Sequence, residues 1–294
     1  AGWVRSGPAA LTRAWCIFEL AKALAKGCSL HVLLSPASVA EFERRMTKSS
    51  RDFEDGLSGF QWVAKLLGGI DVKRAQISFV KDREYIVGEV AKLEGGMGAI
   101  NSNVMGALRE WLTTHANALL ERTPKKVRGT SVLIDNVAMM LKDCGRLADA
   151  EVLQREELAA HRAKGGERAR KSVTALSNLA NNLYYQGKLS EAEPLYRESL
   201  AASRETLGNN HKRTQGSIGR LGQVLQEQGK LDEAEPLCVE AAAWFRKDGQ
   251  FLDQLVVNVG SLVELRRQQG RLAEAEEELG SLVADARAGL GPQH

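Results

Sequence analysis

Cysteine, proline and aromatic residues are scarce: four Cys, six Pro and 5% aromatics in 294 residues. Cys16, Cys28, Cys144 and Cys238 lie far apart, with no C-x-x-C and no histidine at ligand spacing. That pattern argues against a disulfide framework and against a zinc site, so reduced thiols and no metal are expected. No stretch reaches the roughly 18 consecutive apolar residues of a membrane helix, and no charged-then-apolar leader opens the chain. The expectation is a cytoplasmic protein with no membrane partner. Neither charge sign dominates: 40 Lys+Arg against 37 Asp+Glu gives +3, which calls for no nucleic-acid partner. Catalytic signatures are also missing. His31, His115, His161, His211 and His294 form no H-E-x-x-H, and no G-x-S-x-G marks a nucleophile elbow. Gly166-Glu-Arg-Ala-Arg-Lys171-Ser172 lacks the glycine that precedes the lysine of a phosphate loop and is better taken as a linker turn. No cofactor and no enzymatic activity are expected.

What is present is a core-forming share of apolar residues, 44%, and an uneven charge distribution. Residues 1–128 hold 19 basic and 13 acidic side chains, and residues 129–294 hold 21 and 24, which predicts two units. In the second, the phrase Gly-[Lys/Arg]-Leu-x-[Asp/Glu]-Ala-Glu recurs at Gly145, Gly187, Gly229 and Gly270, at spacings of 42, 42 and 41. Each period predicts two helices around a tight turn. Over 172–186, Leu176, Leu179, Ala180 and Leu183 recur at helical spacing, and Gly187 then ends the helix with positive φ. Ser190-Glu-Ala-Glu193 and Asp232-Glu-Ala-Glu235 match capping boxes, with Pro194 and Pro236 expected in the first turn of the second helix. Ala150, Ala192, Ala234 and Ala275 mark a close helix crossing. Such hairpins cannot bury their apolar faces alone, so they must stack into a solenoid.

The stretch Asn178-Leu179-Ala180 to Leu183, then Gly187-Lys-Leu-Ser-Glu-Ala192-Glu-Pro-Leu-Tyr196, resembles a tetratricopeptide repeat. The long period, Glu-Ala-Glu-Pro-Leu and Leu207-Gly208-x-x-His211 resemble the kinesin light chain and nephrocystin variety. Lys212, Gln154 and Arg266 depart from the pattern. The resemblance implies a solenoid of four repeats over 129–294, with Asn178 as a binding position unless its side chain bonds a neighbouring backbone carbonyl. Leu290-Gly-Pro-Gln-His294 repeats the phase of Leu207-Gly-Asn-Asn-His211, which predicts a piece cut at the start of a fifth repeat.

Residues 1–121 have another texture. Leu11 to Leu24 is helical in period, Ser29-Leu-His-Val-Leu-Leu34 predicts a short buried strand, and helices are expected at about 37–48, 53–67, 80–94 and 100–121. A helix followed by a buried strand suggests an incomplete α/β domain. Leu11-Thr-Arg-Ala-Trp15-Cys16-Ile-Phe-Glu19-Leu20 resembles the second half of a toll/interleukin-receptor-type domain. That resemblance implies a catalytic role in NAD cleavage for Glu19 alone; otherwise Glu19 lies at a solvated helix edge. The basic run at 122–128 is expected to be the linker.

The fold class expected is therefore mainly α, a helix-hairpin solenoid preceded by an incomplete α/β segment. In such an array the first helix of each pair lines a groove that holds a peptide or a partner's helix. The offset from each glycine places Asn136, Asn178, Asn181, Tyr185, Arg220 and Gln223 on that face. Amide side chains bond a bound backbone, and Arg220 offers a fork to a carboxylate. The function expected is a protein-interaction scaffold with a protein or peptide ligand, self-association being left open. The alternative is a piece of a toll/interleukin-receptor-like NAD-cleaving or signalling protein that uses the repeats as sensor or assembly platform.

Overall fold

The structure, a computed structural model, describes residues 23, 26, 35–68, 80–92, 96–165, 170–248 and 251–290. It divides into two compact units, Ala1–Leu153 and Gln154–His294. Among the described residues there is no strand. The strand expected at 29–34 and the segment carrying Glu19 lie outside them.

In the first unit the helices are α1 (Pro36–Thr47), α2 (Gly59–Gly68), α3 (Val80–Ala91), α4 (Gly96–Arg122), the single turn α5 (Lys125–Arg128) and α6 (Val132–Asp143). Phe42 and Met46 of α1, Trp62 and Val63 of α2, Leu112 and Ala116 of α4, and Ile134, Val137 and Leu141 of α6 form its core. The helix expected from residue 53 begins only at Gly59. Asp55-Gly56 reverses the chain first, with Gly56 at φ +63° and Asp55 accepting from the Leu57 amide. Gly59 is required for a different reason: a Cβ there would lie 2.4 Å from the Arg45 carbonyl oxygen, where α1 and α2 touch.

α7 (Leu147–Gly165) starts in the first unit and continues in the second, which adds α8 (Arg170–Tyr185), α9 (Leu189–Leu207), α10 (Lys212–Glu227), α11 (Leu231–Asp248), α12 (Leu252–Gln268) and α13 (Leu272–Leu290). The pairs α8/α9, α10/α11 and α12/α13 are the repeated hairpins, and α6/α7 has the same turn. Gly145, Gly187, Gly229 and Gly270 all take positive φ, between +73° and +78°. At Gly187 the amide donates to the Tyr184 carbonyl and the Lys188 amide to that of Leu183; the other three turns repeat this pair of bonds. It is the Schellman arrangement, which satisfies the last carbonyls of the first helix. Ala150, Ala192, Ala234 and Ala275 are buried at the crossing, as their size requires.

The expected capping boxes do not form. Because the glycine turn reverses the chain in so few residues, α9 starts at Leu189 and α11 at Leu231, so Ser190 and Asp232 are already helical. Glu193 bonds Lys230 and Arg197 instead. For the same reason Pro194 and Pro236 lie inside their helices, beyond the first turn. The exposed ring of Pro194 withholds one N–H from the Ser190 carbonyl, where water can substitute.

Successive second helices are tied by ion pairs in register. Arg155–Glu191 (2.7 Å), Arg162–Glu198 (2.5 Å), Arg197–Glu233 (2.7 Å) and Arg204–Glu240 (3.7 Å) each span 36 residues. Two of the three departures from the repeat pattern find polar partners, and Lys212 lies over the Phe251 ring. Gln154, buried where α9 has Tyr196, accepts from Asn182 at 2.8 Å, and Arg266 reaches Glu278 at 3.1 Å.

Candidate functional site: a groove lined by the first helices

α8, α10 and α12 border a cavity of about 220 Å³, closed on one side by α9. From α8 come Val173, Thr174, Ser177, Asn178 and Asn181; α9 supplies Tyr196 and Ser203; α10 supplies Arg213, Gly216, Ser217 and Arg220; α12 supplies Gln254. Residues seven apart fall on one helix face, which is why Thr174 and Asn181 share the cavity wall with Arg213 and Arg220. Asn181 is oriented from below: the Tyr196 hydroxyl donates to its Oδ1 at 2.8 Å. Burial raises the Tyr196 pKa well above the usual value, so that hydroxyl stays a donor at neutral pH.

The guanidinium of Arg220 donates to Gln223 Oε1 at 3.1 Å, and Arg213 donates to Thr174 Oγ1 at 3.1 Å. Neither arginine forms an ion pair among the described residues. In the same unit Arg155, Arg162, Arg197, Arg204, Arg246, Arg266, Arg267 and Arg271 all do. The cavity therefore presents two cations, about 10.5 Å apart along the helix axis, alongside two asparagines. One turn beyond Asn181 in sequence, Tyr185 stands exposed, edge-on to Tyr184 at 5.5 Å. Tyr184 donates to Glu227.

Of the expected groove residues, Asn178, Asn181 and Arg220 line one cavity; Gln223 accepts from Arg220 without lining it, and Tyr185 is not among the lining residues. Asn136 takes another role. It is buried in the first unit, donating to the Met46 carbonyl and accepting from the Phe60 amide, both at 3.1 Å. Its offset from Gly145 equals that of Asn178 from Gly187, but α1 and α2 pack on that side of α6. Arg213 and Gln254, absent from the expected set, share one offset from Gly229 and Gly270, so carrying the register two turns toward the helix start would have found them. Among the described residues no group of three or more His, Cys, Asp or Glu could hold a metal ion, and no helix is long and apolar enough to cross a membrane.

Fold and groove together define the class: an array of stacked helix hairpins with a polar, cationic inner face. The tetratricopeptide-repeat family model matches residues 130–164, 172–211 and 214–244, so the chain carries tetratricopeptide repeats. The α12/α13 hairpin, outside those matches, has the same glycine turn. Among solved structures, a Podosopora anserina protein with nearly identical kinesin light chain TPR-like repeats is similar at 18% identity and TM-score 0.54, over 62% of this chain and 88% of that one. BtubC (BKLC) from P. vanneervenii is similar at 18% identity and TM-score 0.52, over 87% and 92%. A Rap protein complexed with Competence and Sporulation Factor is similar at 16% identity and TM-score 0.50, over 86% and 77%. No curated protein matches the sequence.

Proposed function

We propose that the repeats form a protein-interaction scaffold whose α8/α10/α12 groove captures an extended peptide or helix of a partner. The observation that carries this reading is the pair Arg213 and Arg220, which lack acidic partners and line one cavity with Asn178 and Asn181. Guanidinium forks recognise carboxylates, and asparagine amides bond both N–H and C=O of a bound backbone. The fold relative in complex with Competence and Sporulation Factor supports ligand capture by such arrays. The side chains that line the groove are hydrogen-bonding groups and cations, which suit binding.

The test is selection of peptides from a displayed random library on the 294-residue chain, followed by anisotropy titrations of a labelled hit. The Asn181→Ala/Arg220→Ala chain should bind that hit at least about tenfold more weakly, at unchanged helicity. Equal affinity for both chains would remove the groove from consideration.

A further inference from the structure

In the first unit α2, α4 and α6 border a second cavity, of about 230 Å³. Its wall is apolar: Phe60 and Val63 come from α2, Met105 from α4 and Met140 from α6, with Val63 and Met140 only 2% and 1% exposed. The next turn of α4 and of α6 adds side chains of another kind. Arg109 follows Met105 by four residues, and Asp143 and Cys144 follow Met140 by three and four, so each shares a face with its methionine and lines the same cavity. Arg109 and Asp143 are exposed and stand at the mouth, and Cys144, a free thiol, is half-buried beside them. Burial raises the Cys144 pKa, Arg109 lowers it and Asp143 raises it, so both charges are felt at that thiol.

Size and charge together select a ligand. An apolar cavity of roughly 150 Å³ holds one benzene molecule. About 230 Å³ therefore admits one side chain the size of leucine, methionine or phenylalanine, and it is too small for a nucleotide or a drug-sized cofactor, whose pockets start at roughly 300 Å³. Arg109 and Asp143 line this one cavity, yet among the described residues neither forms an ion pair, with the other or with a third residue. A cation and an anion that face one cavity without closing on each other match a ligand that carries both signs on neighbouring groups. We propose that the cavity binds a free α-amino acid with an apolar side chain. The side chain lies against Phe60, Val63, Met105 and Met140, the carboxylate accepts from the Arg109 guanidinium, and the ammonium donates to the Asp143 carboxylate. A carboxylate without the ammonium sets its charge uncompensated beside Asp143, and an amine without the carboxylate does the same beside Arg109.

Calorimetric titration of the 294-residue chain with L-leucine, L-methionine and L-phenylalanine tests this. At least one should bind with a Kd below about 1 mM. Saturation with that amino acid should slow iodoacetamide alkylation of Cys144 by about fivefold or more, read at the Cys144 peptide by mass spectrometry. The same side chain presented without the ammonium (3-phenylpropanoate for phenylalanine) or without the carboxylate (2-phenylethylamine) should bind at least about tenfold more weakly, and Arg109→Gln and Asp143→Asn should each weaken the amino acid itself by as much. Both positions are exposed, so helicity and melting, measured on each variant, should not change. No binding of any of the three amino acids at about 10 mM, or binding that leaves Cys144 alkylation and the affinity of both variants unaltered, overturns the proposal. An acid without the ammonium that binds as tightly as its parent would make this a carboxylate site, and the amino acid would be the wrong ligand.

Discussion

The Tyr196 hydroxyl donates to the Asn181 side-chain oxygen at 2.8 Å, and this one bond fixes which end of the asparagine faces the cavity. With the oxygen engaged from below, Asn181 offers a bound chain its two N–H donors. Tyr196→Phe should cost about 1 kcal/mol in urea unfolding. It should also change peptide preference, because the freed amide can turn over. A Phe variant with unaltered stability and unaltered ligand ranking would show that the bond orients nothing.

Asn136 tests the first unit. Its side chain serves the Met46 carbonyl near the end of α1 and the Phe60 amide in the first turn of α2, both groups that a helix end leaves unpaired. Asn136→Leu should destabilise by about 2–4 kcal/mol, since two buried polar groups lose their partner. Asn136→Asp keeps only the acceptor and should also destabilise. If Asn136→Leu unfolds at the wild-type urea concentration, the two bonds contribute nothing net.

Two glycines should respond differently to alanine. Gly187→Ala meets open space and suffers only from its φ of +73°, so about 1–2 kcal/mol is expected, with Gly187→Asn milder. Gly59→Ala drives a Cβ against backbone and should cost more, about 3 kcal/mol, because α1 and α2 must separate. Thermal unfolding of both variants gives the order, and the reverse order would refute this assignment of causes.

Burial pushes the Cys238 thiol from its usual 9.0 up to about 11, and Glu235 adds to the shift. The native state then holds this proton more tightly than the unfolded chain does. The stability tied to it is full below about pH 9 and falls as pH rises toward 11, by roughly 1.4 kcal/mol per unit. Cys238→Ala lacks that decline, so the gap between the two chains' urea midpoints should narrow across this window. Parallel curves would mean that the thiol titrates normally in the fold.

The Arg162–Glu198 pair is part-exposed, and a double-mutant cycle to alanine should return a coupling of about 0.5 kcal/mol. Added salt should reduce it. A coupling indistinguishable from zero at low salt would leave the pair without a stabilising role.

The hairpins were legible in sequence because their constraint falls on residue type. Positive φ asks for Gly187 and its equivalents, and a close crossing asks for Ala192 and its equivalents, so both leave a period. The capping boxes were not, because Ser190 and Asp232 have the right chemistry but the tight glycine turn brings the helix start ahead of them. Half of the groove could be found from one register. Asn136 and Asn178 share an offset, and only the presence of α1 and α2 beside α6, a tertiary fact, buries the first and leaves the second to line a cavity. Arg213 follows from the same register carried two turns earlier, but its lack of an acidic partner is a tertiary fact that no local pattern carries.

The ion-pair ladder between second helices makes the array divisible. Each rung spans 36 residues while the glycine turns between α8 and α9 and between α10 and α11 stand 42 apart, so removing residues 188–229 joins Gly187 to Lys230 and brings Arg155 opposite Glu233 and Arg162 opposite Glu240 at the original spacing. Every surviving rung is of the kind it replaces. A chain built this way keeps its ion-pair ladder in register when whole periods are deleted or duplicated in its coding sequence.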